Sequence, residues 1–500
     1  MKQLIVLLLL IPAFLATAQP QPDRAAIETV LNQYFDGWMT GDTTRLGYAM
    51  HQSCQLKNYL ENEKRLVYYS RADYLRLFRP RARDPRTSGR IVSVDITAHT
   101  AGAKIELNTA WDTFTDYFNL MRIDGRWYIV DKISSRRPHP TAPVNPQKET
   151  VMDGINRPWS MAFLNEDEAL ITEKQGDLVR VNLRTKQKFV VKNFPTDMAD
   201  SMSRRTPGDN TGKFEVVLDP SFNSNKFVYI SYAAQNETGM GLKVIRAVFE
   251  NDALQQIKSI FTVEPFTPER HHYGGGMIFG ADGKLYITAG ERLFTEASQP
   301  PTPLAQDVQD KRGKIYRINP DGSIPADNPD FGKGAVPGLY AVGIRAAQGL
   351  ALEPTTNRIW FSEHGTHQGD EINILKAGVN YGWPVVTTGK YRYETYKPAV
   401  TEGATYTDPI FAWTHTVAPT GLVFYRGEEF PTWKNSLIIP GLSRGSLWRM
   451  TVNGEQIIHS EELFVNDRVR SRKVVQSPAG RLYMLTDETN GKIVWIKNAR

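Results

Sequence analysis

The stretch His271-His272-Tyr273-Gly274-Gly275-Gly276-Met277-Ile278-Phe279-Gly280-Ala281-Asp282-Gly283-Lys284-Leu285-Tyr286-Ile287-Thr288-Ala289-Gly290 reads as a strand, a polar turn and a second strand. A histidine pair and three glycines stand directly ahead of the first strand. Glycines let a flat ligand approach the backbone, and an imidazole moves protons near neutral pH. Short strands like 285–288 recur at 169–173, 227–231, 359–362, 436–439 and 482–486. Radial repetition of short antiparallel strands predicts an all-β propeller over residues 151–500, and six such strands predict a six-bladed one. The uneven spacing implies long loops on a rigid scaffold, which is where sites are built.

Ahead of this repeat the pattern is different. Ile27, Val30, Leu31, Phe35 and Met39 recur at helical spacing, and residues 69–78 resemble a second, shorter helix. From Gly89 onward strands are expected at 91–96, 103–107 and 116–123. Asp124-Gly125 then turns the chain into a last strand at 126–133. Helices leading into a meander predict a small α+β domain over residues 23–137. Its order and the closing Gly125-Arg126-Trp127-Tyr128-Ile129-Val130-Asp131-Lys132-Ile133 resemble the cone-shaped nuclear-transport-factor-like fold, near its SnoaL and putative lumazine-binding groups. Pro138, Pro140, Pro143 and Pro146 punctuate the next segment, so residues 138–150 read as a linker.

Residues 1–18 carry one lysine, an apolar run from Leu4 to Leu15 and a small-x-small cleavage site before Gln19. This is the pattern of a secretory signal peptide, with no membrane span expected once it is removed. Cys54 is the single cysteine, so no intrachain disulfide forms, which suits periplasmic or secreted bacterial export. It reads as a small buried hydrophobe rather than a catalytic thiol. The net charge is +6, or +5 without Lys2. The arginine run at 79, 81, 83, 86 and 90 lacks interleaved aromatics and reads as a solvated loop, not a nucleic-acid surface.

Several motifs stand in order in the second half: 312–325 (Arg312-Gly313-Lys314-Ile315-Tyr316-Arg317 and onward), Gln348-Gly349-Leu350, Glu363-His364-Gly365, 369–373 and Asn380-Tyr381-Gly382-Trp383-Pro384. They resemble the soluble pyrroloquinoline-quinone-dependent sugar dehydrogenases, the glucose/sorbosone and aldose sugar dehydrogenase family, from about Ile155 to the C-terminus. The resemblance implies that His272 is the general base for a sugar hydroxyl and that Arg345 faces the quinone oxygen. Arg470 and Arg472 would bind the quinone's carboxylates, with Asn210, Thr416 and Arg345 as further cofactor contacts. Ca²⁺ is the implied metal, on the carbonyls of Gly365 and Thr366, with a second, structural ion at Glu371 and Tyr381.

Four positions depart from the family. Gly276 and Ser443 replace an arginine and a lysine, Ala346 an asparagine, and Asn210 a glutamine. Each removes or shortens a polar group whose partner needs a new arrangement. Two functions are therefore expected: a periplasmic quinoprotein oxidising an aldose to its lactone, or a propeller without redox chemistry that binds carbohydrate or protein. A metal-dependent lactonase lacks its acidic and asparagine cluster. The substrate would be a small sugar, the electron acceptor is unidentified, and a homodimer is left open.

Overall fold

A computed structural model describes residues 22–60, 65–109, 112–138, 144–199, 210–293, 296–393, 395–400, 402–443, 445–465 and 467–499. The signal-peptide reading of residues 1–18 lies outside them. The chain divides into two compact units, residues 1–143 and 144–499. No helix among the described residues is long and apolar enough to cross a membrane.

In the first unit a helix, Pro22–Thr40, buries Ile27, Val30, Leu31, Phe35 and Met39, the positions its periodicity marked. It packs on one face of a six-stranded sheet in the order Arg65–Ser70, Met50–Leu60, Arg126–Pro138, Asp112–Ile123, Thr100–Asn108, Ser88–Thr97. The Asp124-Gly125 turn holds both residues at positive φ, as a two-residue hairpin requires. Three features differ from the reading of the sequence. The helix expected over 69–78 is only Arg71–Arg76, because Tyr69 still belongs to a strand. The helix Thr43–Ala49 and the first two strands had no strong periodic signal, since their polar faces dominate their composition. Pro138 ends one strand and Pro146 begins another, Pro146–Ile155, so the later part of the expected linker is strand; proline is tolerated at strand ends.

The second unit holds six four-stranded sheets among the described residues. Their inner strands are Pro158–Phe163, Lys213–Leu218, Gly274–Phe279, Ala347–Leu352, Val423–Phe424 and Ser471–Gln476. Each neighbours the next, and the last returns to the first, so the sheets close into a ring. The sixth sheet takes Pro146–Ile155 as its outer strand, paired antiparallel with Gly491–Asn498. Both ends of the unit are thus joined in one sheet. The six strands picked out in the sequence are the second strands of the six sheets.

Four of those strands carry a hydroxyl near their ends for a structural reason. Thr172 Oγ1 donates to the carbonyl of Phe214, Ser231 to Gly275, Thr288 to Ala347 and Ser362 to Thr420, each on or beside the inner strand of the next sheet. Thr420, ahead of the inner strand Val423–Phe424, makes a similar bond to the Arg472 carbonyl. Thr288 Oγ1 also accepts from Gly276 N at 3.0 Å. Thr288→Val keeps the volume but strands both partners in the interior, so urea unfolding should report a loss of about 1–3 kcal/mol. An unchanged midpoint would show that the latch adds nothing.

Candidate active site

The site begins where the Gly-rich inner strand starts. His272 has φ +47, a left-handed conformation uncommon for a residue with a Cβ. Its carbonyl lies against Gly290, where a Cβ would stand 1.9 Å away, so glycine at 290 is what lets the two strand ends meet. The imidazole is nearly buried, with Nδ1 3.8 Å from Glu291 Oε1. Burial first, then the charge of Arg345, holds its pKa well below the usual histidine value. Neutral imidazole is the form able to take a proton.

Glu291 was not singled out in the sequence, although it directly follows the strand 285–290. Its Oε1 is also 3.8 Å from Arg345 Nε, while Oε2 accepts from Gln299 and from the Trp383 indole. Burial pushes its carboxyl up to about 7. Arg345 is buried beside Trp383, its guanidinium 5.2 Å from the ring, and burial lowers its pKa. Its backbone N–H and that of Ala346 donate to Glu363.

Arg345, Gly365, Glu371 and Tyr381 line one cavity of about 120 Å³, together with Glu363 and Asp408. Burial pushes Glu363 up to about 8 and Glu371 up to about 7, with neighbouring carboxylates adding to both shifts. Tyr381 uses its hydroxyl on the Ile374 carbonyl and the Lys376 N–H. The carbonyls of Gly365 and Thr366 accept from guanidinium groups, Arg345 Nη1 at 2.6 Å and Arg392 Nη2 at 3.4 Å. Each carbonyl that the resemblance gives to calcium thus accepts a hydrogen bond from a guanidinium group. The cavity at Glu363, Glu371 and Asp408 offers carboxyl oxygens, the ligand type that suits a hard cation. Among the described residues no group of three or more His, Cys, Asp or Glu side chains is drawn together tightly enough to hold a metal by itself.

Arg470 and Arg472 meet on one carboxylate, Asp487 Oδ2, at 3.1 and 3.0 Å. They are unequal: the Arg470 side chain is 52% exposed and that of Arg472 is 5% exposed. Arg472 also donates to Gln348 Oε1 at 2.8 Å. Although its own burial acts the other way, Arg472, Lys174 and Arg470 hold Asp487 well below the usual carboxylate range. Lys174 in turn donates to Asn210 at 3.2 Å, which ties Asn210 to this cluster. Thr416 is exposed and donates to the His367 carbonyl. Arg444, beside the exposed Ser443, lies outside the described residues, as do Gly208 and Asp209.

Gly276 is not an arginine-shaped gap. A Cβ there would lie 2.8 Å from the Gln348 carbonyl oxygen and 3.3 Å from Thr288 Oγ1, so the neighbouring inner strand fills the space. Ala346 is likewise fully buried. Cys54, in the other unit, is buried, and burial pushes its thiol up to about 12, which keeps it protonated and inert.

Four buried polar atoms in this region lack a hydrogen-bond partner: His272 Nδ1, Arg345 Nε, Arg472 Nε and Glu296 Oε2. Each such group is costly unless something pairs with it, and two of the four are guanidinium donors. The donor set fits a polycarboxylate ligand.

Residues 155–495 match the family described as glucose / sorbosone dehydrogenase, and residues 22–135 match putative lumazine-binding. The chain belongs to the glucose/sorbosone dehydrogenase family. It is 32% identical to the aldose sugar dehydrogenase YliI of Escherichia coli over 71% of this chain and 93% of that one. Quinoprotein glucose dehydrogenase B of Acinetobacter calcoaceticus is 27% identical, covering 69% of this chain and 86% of its own. The PQQ-bound aldose sugar dehydrogenase of Streptomyces coelicolor superposes with a TM-score of 0.56 at 25% identity, over 71% of this chain and 99% of that one.

Proposed function

We propose that the protein is a periplasmic or secreted quinoprotein that oxidises an aldose to its lactone. The carrying observation is Glu291 Oε1 standing 3.8 Å from both His272 Nδ1 and Arg345 Nε, beside buried polar atoms without partners. The six sheets are taken as six blades, with the site where their inner strands begin.

Pyrroloquinoline quinone, when bound, supplies the two-electron acceptor for the sugar's hydride. Arg472 and Arg470 would hold its carboxylates, with Asn210 and Thr416 at the edges and Arg345 near the quinone oxygen. With Nδ1 turned to Glu291, His272 keeps Nε2 as the nitrogen that takes the sugar hydroxyl proton. Glu291 orients the ring and steadies the imidazolium that forms. Arg345 places positive charge where negative charge develops, in a site whose burial strengthens it. Glu371 and Tyr381, in the cavity they share with Glu363 and Asp408, would supply oxygen ligands to a calcium ion.

Because burial and Arg345 keep His272 neutral into the acid range, the acid limb of kcat/KM should fall below pH 6.5. A limb above that value would separate His272 from the proton transfer. Binding of the quinone to the purified protein, monitored by its absorbance, tests the reading: one equivalent per chain supports it, and no binding overturns it.

Gly276, Ala346, Ser443 and Asn210 favour one other reading, a propeller that binds carbohydrate or protein without redox chemistry. The close backbone at Gly276 is its best support, since no side chain of the family type fits there.

A further inference from the structure

The N-terminal unit contains a cavity of about 360 Å³, within the size range of small-ligand pockets. Its floor is charged and buried. Lys132 Nζ stands 3.0 Å from Asp116 Oδ2, with the two side chains 7% and 1% exposed. Tyr34 donates to Asp116 Oδ2 at 3.3 Å and Ser134 to Oδ1, while the Tyr34 and Tyr74 hydroxyls are 3.0 Å apart. Both oxygens of Asp116 are therefore engaged within the fold. A buried ion pair adds little stability compared with apolar packing, so a polar floor in so small a core points to use rather than to folding.

The walls are aromatic, with Trp38, Tyr69, Phe78 and Phe114 among them. Arg81 lies at the edge, 5.7 Å from the Trp38 ring, and donates to the carbonyls of Met39 and Trp38. No carboxylate of the described residues pairs with it. Lys57, by contrast, is held by Asp131 at 2.7 Å. The lining thus holds Lys57, Arg81 and Lys132 against the single carboxylate Asp116.

We propose that this cavity binds a small aromatic carboxylate, with its ring against Trp38 and Phe114 and its anionic end at Arg81. Aromatic walls bury a flat ring, and a guanidinium fork matches a carboxylate. The proposal is independent of the redox reading of the propeller.

Isothermal titration of the full-length protein with 2-naphthoate tests it, with 2-naphthamide and acetate as the neutral and the non-aromatic probes. The expected result is one site per chain for 2-naphthoate, at least tenfold weaker binding of 2-naphthamide and none of acetate. Arg81→Gln should weaken 2-naphthoate at least tenfold, and Asn58→Trp, which fills the cavity, should abolish binding. Arg472→Ala should leave it unchanged, which separates this site from the propeller's arginines. Circular dichroism checks both cavity variants; should Asn58→Trp not fold, the exposed Arg81→Gln decides. No binding of 2-naphthoate at millimolar concentration, equal binding of 2-naphthamide, indifference to Arg81→Gln, or loss in Arg472→Ala would each overturn the proposal.

Discussion

His272→Gln should lower turnover by about 10²- to 10⁴-fold while quinone affinity stays within a few-fold of the parent protein. The difference between the two readouts comes from geometry. The imidazole acts on the sugar proton in the transition state, whereas the carboxylate-binding charges belong to Arg470 and Arg472, which meet on Asp487. Glutamine fills a similar volume and can still reach toward Glu291, but it has no basic nitrogen. Stopped-flow reduction of the bound quinone, with the binding titration run beside it, separates chemistry from cofactor loading. Undiminished reduction would remove His272 from the base role and direct attention to His271.

Arg472→Ala should weaken quinone binding by more than tenfold, since truncating one partner of a desolvated charge pair costs about 2–5 kcal/mol. The fold should survive, because Arg470 and Lys174 remain to balance Asp487. Arg470→Ala should cost less, about 1 kcal/mol or below, because its side chain is half exposed and its charge is screened by solvent. The sequence treats the two arginines as equivalent, and the structure does not. Equal effects of the two substitutions would mean that the cofactor is seated on the exposed side of the pair.

Much of the propeller was legible because the second strands repeat a similar apolar run, and four of them place a hydroxyl near their ends. Thr172, Ser231, Thr288 and Ser362 bind the next sheet's backbone, so one physical task leaves one recurring mark. The first unit was harder to read at Met50–Leu60, where Gln55 and Lys57 face solvent more than Cys54 and Leu56 and the run looks polar. Its partner strand Arg65–Ser70 is exposed or half-buried along its length, and the helix expected from Tyr69 took in its last two residues. At the site, His272, Arg345 and Arg472 carry recognisable motifs. Glu291 and Glu296 do not, because a buried carboxylate is marked by burial and neighbours that only the fold supplies. The meaning of Gly276 also needed the fold: the sequence shows a missing side chain, and the structure shows backbone occupying its place.

The central claim is that this propeller still performs sugar oxidation despite its altered pocket. Purified protein should be loaded with pyrroloquinoline quinone and Ca²⁺ and presented with a panel of aldoses, with reduction of an electron-accepting dye recorded over time. The account predicts aldose-dependent dye reduction that vanishes without the quinone and falls by at least about 10²-fold in His272→Gln. Stoichiometric quinone binding with no aldose-dependent reduction, or no quinone binding at all, would contradict it and leave the propeller as a binding module.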